Sequence, residues 1–279
     1  MRDWRIGTTM SGYRLLERLG TGSMAVVYRG EETQSGRSVA LKFLFQEFLN
    51  DDDKRRRFRR EAEAAASLRH PNVCVVHEIV EREDETFLVM EHVDGPTIQQ
   101  RIETDSIGIS EALDICIQAA RGLAEAHRQG ILHRDVKSAN LMLASDGVVK
   151  VVDFGLARVL GRTRLTSPGT RMGTPFYMSP EQTLGEDVDR RSDIWSLGVV
   201  LYQIVVGELP FNERQEEALL YSVVNENFAP VKVVPNSASD GLNRTLTKAL
   251  AKDPNQRYQH LEDLAVDLAL LRKRLPKSH

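Results

Sequence analysis

The sequence is poor in cysteine and in aromatic residues, and it contains no long apolar run. Its 279 residues include two cysteines, Cys74 and Cys116, which lie far apart and outside any CxxC pair. A disulfide framework or a zinc site is therefore disfavoured, and a reducing, cytoplasmic environment is expected. No segment resembles a signal peptide or approaches the roughly 18 apolar residues of a membrane helix. Any membrane tether of a longer protein is expected to lie outside these residues.

An excess of charge of one sign is also missing, because the net charge is −3 with 28% charged residues. Such a chain has no overall field that would attract nucleic acid or a membrane surface. The apolar content of 41% is ordinary for a globular protein, and the length allows one large domain or two lobes. The basic run Lys54–Arg60 is either the solvated start of a helix or a docking patch for an acidic or phosphorylated segment.

The first ninety residues contain short segments rich in Val, Leu and Tyr, separated by glycine-containing turns. Such segments predict strands, and five of them would form an antiparallel sheet. The predicted strands are Tyr13–Gly20, Met24–Gly30, Arg37–Leu44, Val75–Val80 and Thr86–Glu91. Apolar residues at helical spacing predict one helix over Phe58–Leu68, which ends before a His-Pro pair.

From Thr97 onward the pattern becomes mainly helical, so we predict a boundary between two lobes near Glu91–Gly95. The predicted helices run from Ser110 as N-cap to Gly130, from about Asp193 to Gly207, and over His260–Arg274. Residues 131–178 mix short strands with a long loop rich in Gly, Thr and Arg. A loop of that length in a compact domain is usually functional or mobile.

A glycine-rich hairpin is predicted near the N-terminus, at Gly20, Thr21, Gly22, Ser23, Met24, Ala25, Val26 and Val27. It joins a strand to a strand, whereas dinucleotide-binding and P-loop motifs lead from a strand into a helix. Glycines in such a hairpin let backbone N–H groups approach phosphates without a clash at Cβ. Glycine pairs are also common in hairpins without a ligand, so a purely structural turn stays an alternative.

Lys42 follows Val39-Ala40-Leu41 in an apolar strand, where a period of two places Ala40 and Lys42 on the same face. A buried ammonium group needs an anionic partner, because burying it unpaired is costly. An anionic ligand would serve, and so would Glu61 on the following helix. The alternative is an edge lysine that reaches solvent.

The densest group of polar residues is His133-Arg134-Asp135-Val136-Lys137-Ser138-Ala139-Asn140, followed by Asp153-Phe154-Gly155 a short hairpin later. Oxygen ligands from Asn140 and Asp153 suit Mg²⁺, which prefers one or two carboxylates together with phosphate oxygens. Asp135 is then available to orient an attacking hydroxyl and accept its proton. The alternative is a polar loop with turn-forming Asp and Asn.

In this order and spacing, the motifs resemble those of the protein kinase family from Tyr13 to about Leu271. Further matches are Ser179-Pro180-Glu181, in which Ser179 is a conservative change from the family's alanine, the segment Asp193–Gly198, and Arg257, which resembles the late arginine that pairs with Glu181. The resemblance is strongest to bacterial eukaryotic-like serine/threonine kinases. It implies an α+β fold with two lobes: a five-stranded antiparallel N-lobe sheet with one regulatory helix, and a mainly α-helical C-lobe. The implied single catalytic domain divides into an extension 1–12, an N-lobe 13–92, a C-lobe 93–274 and a tail 275–279, as in a domain excised from a longer protein.

The resemblance also assigns roles to residues around ATP and Mg²⁺, or Mn²⁺ in its place. Lys42 should hold the α- and β-phosphates and pair with Glu61, Asp135 should act as catalytic base, Lys137 should neutralise the transferred phosphoryl group, and Asn140 and Asp153 should bind the metal. The residues implied around the adenine are Leu19, Val27, Ala40 and Met142, the backbone of Glu91 and Val93, and Met90 as gatekeeper. Lys137 and the pair Gly173-Thr174 favour a serine/threonine specificity.

Ala25 departs from the family, which has a third glycine there; it should weaken the site by about 1 kcal/mol if the position needs a glycine-like conformation. Phosphorylation of the long loop is expected, with Thr170 and Thr166 as leading sites and Thr163 and Ser167 as others; Arg134 and Arg158 are candidate phosphate clamps. Protein substrates with Ser or Thr acceptors are implied, and a homodimer through the N-lobe is suggested. The alternatives are a pseudokinase that binds nucleotide without catalysis and a small-molecule phosphotransferase.

Overall fold

The computed structural model describes residues 5–22, 25–45, 52–82, 86–105, 107–154, 175–232 and 236–275. Its N-terminal lobe is an antiparallel sheet of six strands in the order β1-β2-β3-β4-β6-β5. The strands are β1 (Thr9–Met10), β2 (Tyr13–Thr21), β3 (Ala25–Glu32), β4 (Ser38–Leu44), β5 (Val76–Glu81) and β6 (Thr86–Glu91). The predicted count of five strands is wrong by one. Strand β1 has only two residues, too few to show an alternating pattern, and it pairs with β2 across the turn at Ser11 and Gly12.

Strand β4 lies inside the sheet, which decides between the two interpretations of Lys42. Lys42 is opposite Val27 of β3 on one side and Leu88 of β6 on the other. Its residue is only 5% exposed. An edge lysine that reaches solvent is therefore excluded, and the ammonium group has to find its counter-charge inside the protein.

One helix, α1 (Asp52–Ser67), packs against this sheet. It begins six residues before the predicted start at Phe58, because the basic run forms its exposed first turns. Arg55, Arg56 and Arg57 are exposed, whereas Phe58 and Ala62 are buried. The structure thus agrees with the solvated start of a helix as the role of this run.

The C-terminal lobe is mainly helical, with a two-stranded ribbon of β7 (Leu141–Leu143) and β8 (Val149–Val151) facing the first lobe. Its helices are α2 (Ile98–Thr104), α3 (Ile109–Arg128), α4 (Pro180–Leu184), α5 (Arg190–Val206), α6 (Glu216–Asn225), α7 (Asn236–Ala249) and α8 (Leu261–Arg274). The predicted N-cap of α3 is wrong: Gly108 holds that position and Ser110 lies inside the helix. Gly130 follows the helix end in a left-handed conformation, as expected of a C-terminal stop.

Helix α5 forms the centre of this lobe and is buried on nearly all sides, including Trp195 and Leu197. A helix that is apolar all round has a fixed position in the core, so polar groups on it make a rigid support for neighbouring loops. Cys74 and Cys116 are buried free thiols, and burial raises the pKa of each to about 12. Within the described ranges, no helix has both the length and the apolarity to cross a membrane.

Candidate active site

The side chains of Asp135, Lys137 and Asn140 lie together on the loop that precedes β7. The Lys137 ammonium is 2.7 Å from Asp135 Oδ2. Asn140 Nδ2 donates hydrogen bonds to the backbone oxygen and to Oδ2 of Asp135, at 2.8 and 3.2 Å. A 3₁₀ turn over Ser138–Asn140 brings Asn140 back towards Asp135. An acceptor carboxylate, a cation and an amide are thereby held against one another.

The backbone of this loop is held by Asp193 of α5. Asp193 Oδ2 accepts hydrogen bonds from His127 Nε2 at 2.8 Å and from the backbone N–H of His133 at 2.9 Å. Its Oδ1 accepts from the backbone N–H of Arg134 at 2.8 Å. Arg134 has φ of 65°, a left-handed conformation that residues other than glycine adopt only where the surroundings enforce it. The sequence pattern placed His127 only on a helix stripe and gave no sign of its contact with Asp193.

Asp193 is buried but remains ionised. Burial alone would raise its pKa, but the hydrogen bond from His127 and the backbone N–H of His133 hold the pKa below its usual range. The His133 ring is fixed as well, because its Nε2 lies 2.9 Å from the carbonyl oxygen of Val152 and its Nδ1 accepts from the Asp135 N–H at 3.3 Å. A carbonyl only accepts, so the His133 proton is on Nε2.

Asp153 lies directly opposite Lys42, with its Oδ1 2.6 Å from the Lys42 ammonium. Burial alone would raise the pKa of Asp153, but the charge and hydrogen bond of Lys42, and more weakly the charge of Lys137, lower it. Asp153 has φ of 65°, the second left-handed non-glycine residue of the site. The next residue, Phe154, is buried and its ring lies 4.8 Å from the His133 ring. The chain therefore turns sharply at Asp153 and directs its carboxylate towards the other lobe.

The donor set at this point fits a divalent cation that also binds phosphate. The Nδ2 of Asn140 is used by Asp135, which leaves the amide oxygen Oδ1, and Lys42 contacts only Oδ1 of Asp153, which leaves Oδ2. Two hard oxygen donors suit Mg²⁺ when phosphate oxygens and water complete the shell. Consistently, the described residues include no cluster of three His, Cys, Asp or Glu side chains that would hold a metal by themselves.

Most of the side chains expected around an adenine ring belong to the main cluster of the hydrophobic core, which extends through both lobes. Ala40, Met90 and Val93 are buried members of that cluster, and Val27 and Met142 pack against it. Leu19 is outside the cluster and 48% exposed. Glu91 uses its backbone N–H for the carbonyl of Val75, at 2.8 Å, so only its carbonyl oxygen stays available to a base.

The glycine-rich hairpin is described except at Ser23 and Met24, which lie outside the described residues. The Gly22 N–H donates to the Ala25 carbonyl at 2.8 Å, which closes the hairpin. Ala25 is buried, opposite Leu44, and is absent from the described non-glycine residues with positive φ. This position does not need a glycine-like backbone, so the expected penalty of the alanine does not arise.

The pairing of Lys42 with Glu61 stays a prediction. Glu61 is half-buried on α1, and the ion pair that Lys42 makes here is the one with Asp153. The expected phosphorylation sites Thr163, Thr166, Ser167 and Thr170 lie outside the described residues. The same holds for the candidate clamp Arg158 and for the motif residues Gly155, Gly173 and Thr174.

Glu181 and Arg257 form a buried, two-pronged ion pair, with contacts of 2.7 and 2.8 Å between the two side chains. Ser192 also donates to Glu181, and Arg257 donates to the backbone oxygens of Ala251, Arg191 and Lys252. Every charge-bearing group of the pair is thus satisfied. The pairing anticipated from the sequence is present, and it fixes the start of α4 against the core of the lobe.

From the sequence, Ser179 at the N-terminus of α4 is expected to be a conservative replacement of alanine. The structure gives it a structural role. Its hydroxyl accepts from the Gln182 N–H and its own N–H donates to Gln182 Oε1, which makes a capping box. The Gln182 amide in turn donates to the Arg134 carbonyl at 3.1 Å. The capping residues therefore connect α4 directly to the catalytic loop.

Comparison with known proteins agrees with this geometry, since a family model described as the protein kinase domain matches residues 13–267. The chain belongs to the protein kinase family. Its kinase fold is also that of the PknI kinase domain of Mycobacterium tuberculosis, with a TM-score of 0.73 and 30% identity over 95% of this chain and 98% of that one. The predicted fold class is thereby confirmed, apart from the strand count.

Curated relatives of this kinase domain are named serine/threonine-protein kinases of bacteria. PknB of Mycolicibacterium smegmatis is 40% identical over 92% of this chain and 42% of its own length. PrkC of Bacillus subtilis is 36% identical over 94% of this chain and 41% of its own length. The kinase domain thus spans about two fifths of the length of these relatives. Family membership implies ATP and a divalent metal as cofactors, and the predicted resemblance to bacterial serine/threonine kinases is confirmed.

Proposed function

We propose that this domain is an active, non-specific serine/threonine protein kinase that transfers the γ-phosphoryl group of ATP to Ser and Thr hydroxyls of proteins. The observation that carries this proposal is the convergence of Lys42, Asp135, Lys137, Asn140 and Asp153 from both lobes. A pseudokinase would lack at least one of Lys42, Asp135, Asn140 and Asp153, and all four are present. A nucleotide-binding scaffold without catalysis is accordingly not favoured.

Asp135 is the residue that receives the acceptor hydroxyl. Its Oδ2 is already engaged by Lys137 and Asn140, so Oδ1 is the oxygen left to orient the hydroxyl and take its proton. Lys137 is placed beside it to balance negative charge on the transferred group. Positioning and charge neutralisation are the main work in phosphoryl transfer, so a few fixed groups are sufficient.

Lys42 would hold the α- and β-phosphates, with Glu61 as its second partner. Asn140 and Asp153 would bind Mg²⁺, or Mn²⁺ in its place, and the bound ion would supply further neutralisation of phosphate charge. The glycine-rich hairpin Gly20–Val27 would cover the phosphates. The adenine ring would lie between Leu19, Val27, Ala40 and Met142, with Met90 as gatekeeper and Glu91 and Val93 at its edge.

The experiment that tests the function compares Asp135→Asn with Asp187→Asn in a radiolabelled phosphate-transfer assay on a generic protein acceptor. Asp187 is exposed and remote from the site, so its variant should keep full activity. Asp135→Asn should lower kcat by at least about a hundredfold because the base is removed, while Mg·ATP still shifts the melting temperature. Near-normal turnover of Asp135→Asn would remove Asp135 from its assigned role, and an inactive wild type that still binds nucleotide would favour the pseudokinase.

Autophosphorylation of the loop between Asp153 and Pro175 follows from the same function, with Thr170 and Thr166 as leading sites. Mass spectrometry after incubation with ATP would test this, with the Asp135→Asn protein as the blank. Unmodified loop peptides from a fully active sample would contradict it. A homodimer through the N-lobe would favour such transfer between chains, and sedimentation velocity would measure it.

The two reduced thiols, Cys74 and Cys116, accord with a cytoplasmic location.

A further inference from the structure

A groove of about 540 Å³ lies behind the connection between the lobes and has no part in the proposed phosphoryl transfer. Six basic or imidazole side chains line this back groove: Arg37, Arg69, His70, His77, His92 and Lys150. Glu91 is the one carboxylate among its described lining residues. Successive side chains of a strand point to opposite faces, so Glu91 lies on the face of β6 opposite to Met90 and the proposed adenine site. The back groove is therefore separate from the candidate active site.

The charge of the back groove is opposite to that of the chain. Arg37, Arg69 and Lys150 against Glu91 and against Glu32, which pairs with Arg37, give three positive charges and two negative, a local balance of +1, whereas the whole chain carries −3. Cations collected in a concave site raise the local concentration of anions. The groove thus attracts a ligand of the sign that the rest of the protein repels.

Several donors in the back groove are fixed before any ligand arrives. Arg69 Nη1 donates to the carbonyls of Ala66 and Leu68 at 2.7 and 2.8 Å, which sets the direction of the guanidinium. The Lys150 ammonium is held 2.6 Å from Glu91 Oε1 and is largely buried. Such preorganisation lowers the entropy lost when a ligand is bound.

The imidazoles add hydrogen-bond donors that no protein group uses. His70 Nδ1 accepts from the Asn72 N–H at 3.1 Å, so its proton is on Nε2. Among the described residues, the rings of His77 and His92 have no hydrogen-bond partner. Burial lowers the pKa of both His70 and His77. Near His77, the charges of Arg37 and Arg69 lower the pKa further, and Glu91 and Glu32 oppose this. Near His70, the charges of Arg128, Arg121 and Lys150 lower the pKa further, and Glu125 opposes this. A bound dianion would reverse the effect of these cations.

We propose that the back groove binds the phosphomonoester group of a phosphoserine or phosphothreonine peptide. A phosphomonoester carries a charge of about −1.5 to −2 at neutral pH and three acceptor oxygens, which suits a net positive site with guanidinium, ammonium and imidazole donors. A volume of about 540 Å³ lies within the range of about 300–1,000 Å³ usual for ligand sites.

A ligand in this position would contact both lobes. Arg37 is on the turn between β3 and β4 of the first lobe, whereas Lys150 is on β8 of the second. Lys150 would then be shared between Glu91 and the phosphate. Glu91 also belongs to the connection between the lobes, beside Met90 and Val93 at the proposed adenine site. Occupancy of the back groove should therefore alter nucleotide affinity.

The test uses the whole chain, a short fluorescent phosphothreonine peptide and the same peptide without phosphate. The decisive variant is Arg37→Gln, with Arg14→Gln as matched control, because both arginines are exposed and each pairs with a glutamate of β3, Glu32 and Glu31 respectively. Arg37→Gln should weaken peptide binding about tenfold, as expected for the loss of one charged hydrogen bond, and Arg14→Gln should leave it unchanged. His77→Gln, a second exposed position, should also weaken it.

The location is read by NMR of the imidazole protons during the same titration. Shifts at His70, His77 and His92 with none at His260 are expected. Shifts confined to other histidines, equal binding of the unphosphorylated peptide, or an equal loss with Arg14→Gln would each overturn the proposal. Inorganic phosphate that displaces the peptide at the peptide's own affinity would make free phosphate the ligand. Binding to phosphatidylserine vesicles that depends on Arg37, without peptide binding, would make it a membrane site. The peptide is synthetic, so an inactive enzyme would not affect these outcomes.

Discussion

The Lys42 ammonium lies 2.6 Å from the Asp153 carboxylate, although 111 residues of sequence separate the two. Lys42 belongs to the central part of the N-lobe sheet and Asp153 to the loop after β8 in the other lobe. A single ion pair therefore spans the cleft and places a cation beside the two oxygens that fit a metal. Had the two side chains pointed into separate cavities, a shared nucleotide site would be impossible.

Replacement of Lys42 should affect catalysis much more than stability of the fold. Lys42→Met should lower kcat/KM for ATP by at least about a hundredfold, the usual effect of removing one fixed charge from a transition state. Steady-state kinetics at varied ATP would measure it, with the exposed Lys232→Met as control. A similar loss in both variants, or none in Lys42→Met, would contradict the assignment.

Asp193 should act on catalysis through the position of the catalytic loop. In Asp193→Asn, the amide nitrogen cannot accept the hydrogen bonds that one carboxylate oxygen now receives, so a buried N–H of the loop loses its acceptor. We expect a loss of about 1–3 kcal/mol in the free energy of unfolding, and a fall in kcat that exceeds any change in KM for ATP. Urea denaturation and kinetics of the same samples would measure both.

The outcome that would refute this role of Asp193 is an intact kcat in a destabilised protein, because the loop would then keep its geometry without Asp193. Asp187→Asn is again the matched control, since it removes the same charge from an exposed position.

The ion pair of Glu181 and Arg257 should make stability depend on acid pH. Burial alone would raise the pKa of Glu181, but the hydrogen bond and charge of Arg257, together with the Ser192 hydroxyl, lower it. The unfolded chain thus binds this proton more tightly than the folded one, so the contribution is complete above the ordinary carboxyl pKa of about 4.3 and is lost as the pH falls through the folded pKa.

Glu181→Gln should therefore be less stable than wild type at neutral pH by about 3–5 kcal/mol, because Arg257 is left buried without its counter-charge. The difference should shrink as the pH is lowered below about 4. Urea denaturation at a series of pH values would measure the two curves. Parallel curves over the acid range would show that Glu181 has no depressed pKa in the folded state.

Gly122 of α3 should not tolerate a side chain, because a Cβ there would lie 2.5 Å from the carbonyl oxygen of Asn72. Backbone cannot move aside as a flexible side chain can, so Gly122→Ala should lower the free energy of unfolding by about 1–3 kcal/mol despite the better helix propensity of alanine. Gly108→Ala is the control, since a Cβ at Gly108 meets open space. Thermal denaturation would compare them, and equal melting temperatures would contradict the close approach.

The sequence predicted the larger elements well because each carries a local pattern. The helix that ends at Gly207 and the strand Thr86–Glu91 were placed within a few residues of their observed bounds. Errors arose where the pattern is short or ambiguous, as in the two residues of β1 and the charged first turns of α1. A run of exposed arginines has no apolar periodicity, so a helix start inside it leaves no signal.

The candidate site was predictable where its residues are neighbours in sequence, as in the stretch from Asp135 to Asn140. Contacts between distant elements that carry no family motif were not, because nothing local encodes the meeting of His127 with Asp193, or of Lys150 with Glu91. The penalty expected for Ala25 was conditional on a glycine-like backbone, and only the backbone angles show that this position needs no glycine. Tertiary packing decides such features.

Because Asp193 sits on the buried helix α5, the loop that bears Asp135 inherits its coordinates from the interior of the large lobe. The contact of Lys42 with Asp153, by contrast, crosses between the two lobes. Movement of the lobes relative to each other should thus change the distance between Lys42 and Asp153 while leaving Asp135 in place. Closure of the lobes should bring Lys42 towards a catalytic loop whose own position does not change.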